Sequence, residues 1–285
     1  MKFIIHGGTL SRSLQSISSV VPSGRTMPIL LNFLMEVENE ELKITASDLE
    51  TTITVKLNPS MLEQDQVNKI AIPAKMFLEV VNSLSSQQIT VEVKENYSIE
   101  ITAGTGRYKL VGEDPASYPT AIELSDPALT TISSSVLVKA IGKTLFATGT
   151  GEMRPQMTGV LCEQTHNETI FVATDAHKLV KYTRTDCKND EERSFILPKT
   201  PLSLLNKLLS SHKEEIMVNM ENNNENVKFE FENYTVVSRL IDGKYPNYNM
   251  AIPENNPNKL IIDRAMLFES VKRVALFANQ VNNQV

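Results

Sequence analysis

The chain repeats itself, and an internal repeat constrains a fold more than any single motif does. Leu10-Ser-Arg-Ser-Leu14 opens an apolar stretch with helical spacing, followed by Pro28, a strand-like run from Ile29 to Val37, and Ile44-Thr-Ala-Ser-Asp48. Leu137-Val-Lys-Ala-Ile141, Pro155, a strand-like run from Met157 to Cys162, and Val172-Ala-Thr-Asp175 follow in the same order. Leu10 to Asp48 and Leu137 to Asp175 both span 38 residues, and Pro28 to Asp48 and Pro155 to Asp175 both span 20, which sets an offset of 127. The segment from Ile72 to Leu84 parallels that from Leu197 to Leu209 at an offset of about 125, and Tyr118-Pro119 and Tyr245-Pro246 are again 127 apart. From Lys259 to Phe277 the chain resembles Thr131 to Ala147, with Leu267 and Val271 answering Leu137 and Ile141. Dividing 285 residues by 127 gives about 2.2, so the expectation is two complete units, residues 1–125 and 126–254, and the first strand and helix of a third, 255–285.

Apolar residues recur with helical period over Thr9 to Val21, Ala74 to Leu84, Val136 to Ala147, Lys199 to Ser211 and Arg264 to Ala278. Alternation marks Ile89 to Val93, Ser98 to Thr102, Val227 to Phe231 and Thr235 to Arg239 as strands with one solvated face. Two helices and about eight strands per unit predict an α+β fold of tandem domains, antiparallel sheet on one side and helices on the other. Hydrophobic residues at 41% and charged residues at 22% suit a compactly folding chain and exclude collagen-like and disordered classes. No apolar run approaches the ~18 residues of a membrane helix and the N-terminus lacks a secretory h-region, so the location expected is the cytoplasm. Cys162 and Cys187 show no CxxC spacing and no Cys/His cluster, which predicts neither a disulfide framework nor a zinc site.

The net charge of −6 discourages a polyanion-binding reading until its distribution is examined. The five helical segments contain nine basic residues, Arg12, Lys75, Lys139, Lys143, Lys199, Lys207, Arg264, Lys272 and Arg273, against two acidic ones, Glu79 and Glu269. The helices therefore carry +7 and the remainder −13, as expected if the helices face a polyanion. The alternative is an ordinary solvated helix face. Against it, every unit shows the bias, and Lys139 and Lys143 share one helical face with no helical carboxylate beside them. No base-reading motif accompanies these residues and Trp is absent, so binding would ignore sequence.

Catalytic signatures are missing. Gly104-Thr-Gly106 and Gly149-Thr-Gly151 lack the third glycine of a dinucleotide fingerprint, and there is no GxxxxGK[ST]. Asp175-Ala-His177 suggests part of a triad, but no GxSxG elbow exists, and Asp48 is the repeat counterpart of Asp175, which favours a turn-forming role. His177 has Glu50 as its counterpart. His6, His166 and His212 form no metal spacing with it, and no cofactor is expected.

Met1-Lys-Phe3, Met27-Pro-Ile-Leu30, Ser47-Asp-Leu-Glu50, Ile72-Pro-Ala-Lys75, Val172 to Leu179, Ile196-Leu-Pro-Lys199 and Leu240 to Tyr248 together resemble the bacterial DNA sliding clamps, the β subunits of the replicative polymerase. The resemblance implies a non-enzymatic processivity factor, built of three similar domains per chain. Two chains would meet head to tail in a ring, with helices lining a channel for duplex DNA and sheets outside. By this resemblance Arg25, Lys75, Arg154 and Lys199 approach DNA, alongside Lys139, Lys143, Lys207 and Arg273 of the basic helices. It also implies a pocket for short apolar motifs of polymerase, clamp loader and repair proteins, formed by Met157, Thr174, Ala176, His177, Lys178, Leu179, Pro246, Met250 and Ala251. The chain departs from the family pattern at Ala176, where Gly is common, at Lys178, where Arg is common, and at Met250, often a basic residue. It ends at Val285, just after the first helix of the third domain, which predicts a monomer or a weak association for this chain and no closed ring. Two rival readings are a peptide-binding module that never touches DNA and a hydrolase using Asp175 and His177.

Overall fold

The computed structural model describes residues 1–24, 27–63, 68–120, 122–151, 153–189, 191–212 and 214–278. Met1–Tyr245 form one compact unit and Pro246–Val285 a second. The first repeat contains β1 (Lys2–His6), α1 (Gly7–Ile17), β2 (Asn32–Glu38), β3 (Glu41–Ser47), β4 (Thr51–Leu57), β5 (Ser60–Glu63), β6 (Lys69–Pro73), α2 (Ala74–Ser83), β7 (Gln88–Val93), β8 (Ser98–Ala103) and β9 (Gly106–Val111). The second contains β10 (Ala128–Ser133), α3 (Ser134–Thr144), β11 (Val160–Gln164), β12 (Thr169–Thr174), β13 (Leu179–Arg184), β14 (Arg193–Leu197), α4 (Lys199–Leu209), β15 (Met217–Asn222), β16 (Asn226–Phe231) and β17 (Tyr234–Arg239). In the second unit α5 covers Arg264–Val274.

The repeat in sequence becomes a repeat in strand order, all pairings antiparallel. The order β1-β7-β8-β9 in the first copy answers β10-β15-β16-β17 in the second, and β6-β2-β3-β4 answers β14-β11-β12-β13. The copies differ at one edge, where β5 is added outside β1. They are fused by β17 pairing with β4, from Tyr234 opposite Val55 to Ser238 opposite Thr51, giving one continuous eight-stranded sheet.

Helix starts follow their caps. The Nδ1 atom of His6 accepts from Gly8 N at 3.1 Å, so α1 begins at Gly7, two residues before the apolar periodicity. Ser133 Oγ accepts from Val136 N at 3.4 Å and likewise starts α3 at Ser134. A Cβ at Gly7 would lie 2.2 Å from Leu84 O, so only glycine lets α1 begin this close to the end of α2. The strands expected from Ile29 and Met157 begin later, at Asn32 and Val160. Pro28 and Pro155 instead start tight 3-10 turns, Pro28–Leu31 and Pro155–Thr158.

Leu10, Leu14 and Ile17 of α1, Phe77 and Val81 of α2, Leu137 and Ile141 of α3, and Leu202, Leu205 and Leu209 of α4 are buried against alternate strand residues such as Ile44, Ile53 and Phe229. Truncating one of them to Ala costs about 2–5 kcal/mol by core precedent. Helices α1 and α2 are cross-linked by Asn82, whose Oδ1 accepts from Ser11 Oγ and, at 2.8 Å, from Gln15 Nε2. Every residue of α5 is exposed, including Leu267 and Val271, as is Leu276 just after it.

Candidate nucleic-acid and peptide surfaces

Burying one stripe of each of α1 to α4 leaves the opposite stripe to water, and that stripe holds their cations, while α5 is exposed all round. Arg12, Lys75, Lys139, Lys143, Lys199, Lys207 and Arg273 are all exposed, as is Arg154 in the loop before β11, while Arg25 lies outside the described residues. A cleft of about 420 Å³ lined by Ser19, Val20, Lys199, Ser203 and Lys207 brings the end of the first repeat's α1 segment beside α4. The helical surfaces of the two repeats are therefore neighbours.

Among the described residues no cation on α1 to α5 forms an ion pair, whereas cations on strands do so repeatedly. Lys2 reaches Glu92 at 3.5 Å, Lys69 reaches Glu36 at 2.8 Å, and Lys228 reaches Glu221 at 3.2 Å and Glu230 at 3.0 Å. A hydrogen bond from Lys43 holds Glu38 below the usual carboxylate range. Burial lowers the Lys228 ammonium, but its two carboxylates outweigh that and leave it raised. The helical set is not wholly free of acidic company. Lys139 adds weakly to the lowering of Asp186, which Arg184 dominates, and of Glu215, which the Ser135 hydroxyl dominates.

The second candidate surface centres on the turn between β12 and β13. Asp175 Oδ1 accepts from His177 N and Lys178 N, both at 2.9 Å, and Oδ2 from the Lys178 ammonium. The ammonium bond above all holds Asp175 well below the usual carboxylate range, against a smaller opposing effect of burial. Asp48 makes the same turn in the first repeat, its Oδ1 accepting from Glu50 N at 3.0 Å and Thr51 N at 2.6 Å. Thr174 Oγ1 donates to Lys178 O at 2.8 Å, and the buried Tyr245 hydroxyl accepts from Thr174 N at 3.1 Å, which ties the Tyr-Pro segment under the turn. Burial raises the phenols of Tyr118 and Tyr245.

Thr174, Ala176, His177, Lys178 and Leu179 are thus brought together on one turn, with Ala176 and His177 exposed. Met157 is buried at the close of its 3-10 turn, its carbonyl accepting from Gly149 N at 2.7 Å. Pro246, Met250 and Ala251 belong to the second unit and are exposed there. Among the described residues the His177 ring hydrogen-bonds to no hydroxyl or thiol, no His/Cys/Asp/Glu cluster suits a metal, and no helix is long and apolar enough to cross a membrane. Burial raises the Cys162 thiol, which removes it as a nucleophile. Sequence reasoning did not find the fusion of β17 to β4, nor Arg239 beside Glu50 at that joint, because no local pattern links residues so far apart in the chain.

Tandem α+β repeats with this strand order, and helical cations that form no ion pair among the described residues, are the arrangement of a DNA-clamp type of protein. Residues 1–122 match the model of the DNA polymerase III beta subunit N-terminal domain, and residues 131–247 that of its central domain. The Beta sliding clamp of Staphylococcus aureus is 29% identical over 290 residues, spanning 100% of this chain and 76% of that protein. The sliding clamp of Bacillus subtilis superposes with a TM-score of 0.90 at 27% identity, covering 99% of this chain and 75% of that one. The Pseudomonas aeruginosa clamp bound to griselimycin gives 0.90 at 26%, covering 99% and 76%. The chain belongs to the bacterial DNA sliding clamps, the beta subunits of DNA polymerase III, and is a non-catalytic processivity factor of that polymerase.

Proposed function

We propose that this protein, as a head-to-tail dimer of its full-length form, encircles duplex DNA without reading its sequence and tethers the replicative polymerase by topology, in the cytoplasm. The observation that carries the reading is the set of exposed cations on the helices, Lys75, Lys139, Lys143, Lys199, Lys207 and Arg273, which form no ion pair among the described residues, with Arg154 exposed in its loop; Arg25 belongs to the set by resemblance and lies outside the described residues. Weak phosphate contacts of this kind hold DNA while letting it slide. The domains are residues 1–125, 126–254 and 255–285. The β17 to β4 joint supports assembly by strand edges, because the repeat counterparts of those two strands, β9 and β13, end their sheets among the described residues. A head-to-tail dimer would use such edges to close a ring.

Polymerase, clamp loader and repair proteins would dock short apolar motifs on Met157, Thr174, Ala176, His177, Lys178, Leu179, Pro246, Met250 and Ala251. The exposed Ala176 and His177 on a turn pinned by Asp175 and Tyr245 support a preformed surface there. The encirclement test is retention on a nicked circular plasmid. Protein loaded on circles should co-elute with them and be released by a single restriction cut, whereas equal release from circles and linear DNA would refute topological binding.

A further inference from the structure

The joint between the repeats holds a cleft of about 510 Å³ that shares Lys199 with the cationic helix surface and adds residues named in neither surface above. Its floor is the seam of β17 and β4, where the buried hydroxyls of Thr51 and Ser238 bond at 3.2 Å and Arg239 N donates to Glu50 O at 2.9 Å. Thr150, Thr158, Lys199, Thr200, Arg239 and Glu50 line it as well. Lys199 and Arg239 are exposed, and among the described residues neither side chain forms an ion pair or hydrogen bond. The hydroxyls of Thr150 and Thr200 are also without partners there, while Thr158 Oγ1 is committed to Pro155 O at 2.7 Å. Among the described lining residues Glu50 is the one carboxylate, set against the two cations Lys199 and Arg239. Lys199 and Thr200 line both this cleft and the smaller one beside Lys207.

Two unpaired cations and two free hydroxyls around a polar opening suit an oxyanion that accepts several hydrogen bonds, and suit an apolar side chain poorly. We infer that the cleft receives a backbone phosphate of a DNA strand, held by Arg239 and Lys199 with Thr150 and Thr200 as neutral donors. Glu50 opposes the phosphate and keeps the contact weak enough to release as the strand moves. This rests on the DNA-binding reading and adds Arg239, Thr150, Thr200 and Glu50 to its residues. The turn that carries Glu50 is the repeat counterpart of the His177 turn, so one turn design would face DNA at one joint and protein partners elsewhere.

The test is fluorescence anisotropy of a labelled duplex across a salt series, with circular dichroism to verify folding of each variant. Arg239→Gln should weaken binding about five- to tenfold near 0.1 M salt and reduce the slope of log affinity against log salt by about 1, while Glu50→Gln should tighten binding. Lys139→Gln serves as the reference on the helices. If it weakens binding while Arg239→Gln and Glu50→Gln change neither affinity nor slope, the cleft assignment is overturned and the DNA reading stands. If the wild-type protein shows no salt-dependent binding at all, the DNA reading falls as well. Should the two cleft variants alter only the binding of an acidic peptide, the occupant is a protein segment and the phosphate assignment is overturned.

Discussion

Lysines on the strands and lysines on the helices of this molecule follow different rules. A strand residue has a cross-strand neighbour about 4.5–5.5 Å away, and here that neighbour is often Glu: Lys2 lies opposite Glu92, Lys69 opposite Glu36 and Lys228 opposite Glu221. A helix residue meets its neighbours three and four positions along. For Lys139 those are Ser135 and Lys143, and for Lys207 they are Ser203 and Ser211. The sheet surface neutralises itself, whereas among the described residues the helix surface does not. A net charge of −6 is therefore no guide to what the helices bind.

The largest expected effect breaks the helical half of this contrast. Changing Lys139, Lys143 and Lys199 together to Glu should lower duplex affinity by about 100-fold or more at low salt and leave the thermal unfolding curve nearly unchanged, since no native ion pair is lost. The same three changes placed at Lys2, Lys69 and Lys228 should disturb folding and spare DNA affinity per folded molecule. An equal loss of affinity in both variants, measured by anisotropy, would erase the contrast.

Single substitutions sharpen it on the stability side. Lys228→Met leaves Glu221 and Glu230 without their shared cation and should cost up to about 1 kcal/mol in urea unfolding, while Lys143→Met should cost nothing measurable. The turns offer a smaller effect of opposite sign. Ala176 sits at φ +77, where a Cβ is disfavoured, so Ala176→Gly should stabilise the protein by about 0.5–1 kcal/mol; a loss would show the turn unstrained.

The smallest effect concerns pH. The folded state depresses the Asp175 titration, so its stabilising contribution is complete above the ordinary value of 3.8 and is lost as pH falls below it. The urea midpoint difference between wild type and Asp175→Asn should hold steady above about pH 5 and shrink on acidification. A difference that grows instead would mean the carboxylate is not held ionised by Lys178 and the turn amides.

Much of this was legible in the sequence because a duplicated pattern reports on itself. The offset between Asp48 and Asp175 anticipated two identical carboxylate-pinned turns, and the apolar periods of α1 to α4 anticipated their buried faces. The helix starts were displaced because His6 and Ser133 cap one turn before the first apolar residue, and caps leave no periodic trace. The strands after Pro28 and Pro155 began late because proline favours the tight turn first. Least legible was the seam of β17 on β4. It joins Ser238 to Thr51 across the whole length of both repeats, and the cleft with Arg239 exists only through that seam.

The central claim is that an acidic protein presents a field of free helical cations to a polyanion, and the salt dependence of duplex binding tests it most directly. A plot of log affinity against log salt should fall with a slope of several units, each contacted phosphate contributing about −0.9, and the slope should flatten by about 1 for each helical lysine changed to Gln. A flat plot for the wild-type protein, or a slope unmoved by loss of Lys139, Lys143 and Lys199, would contradict the account.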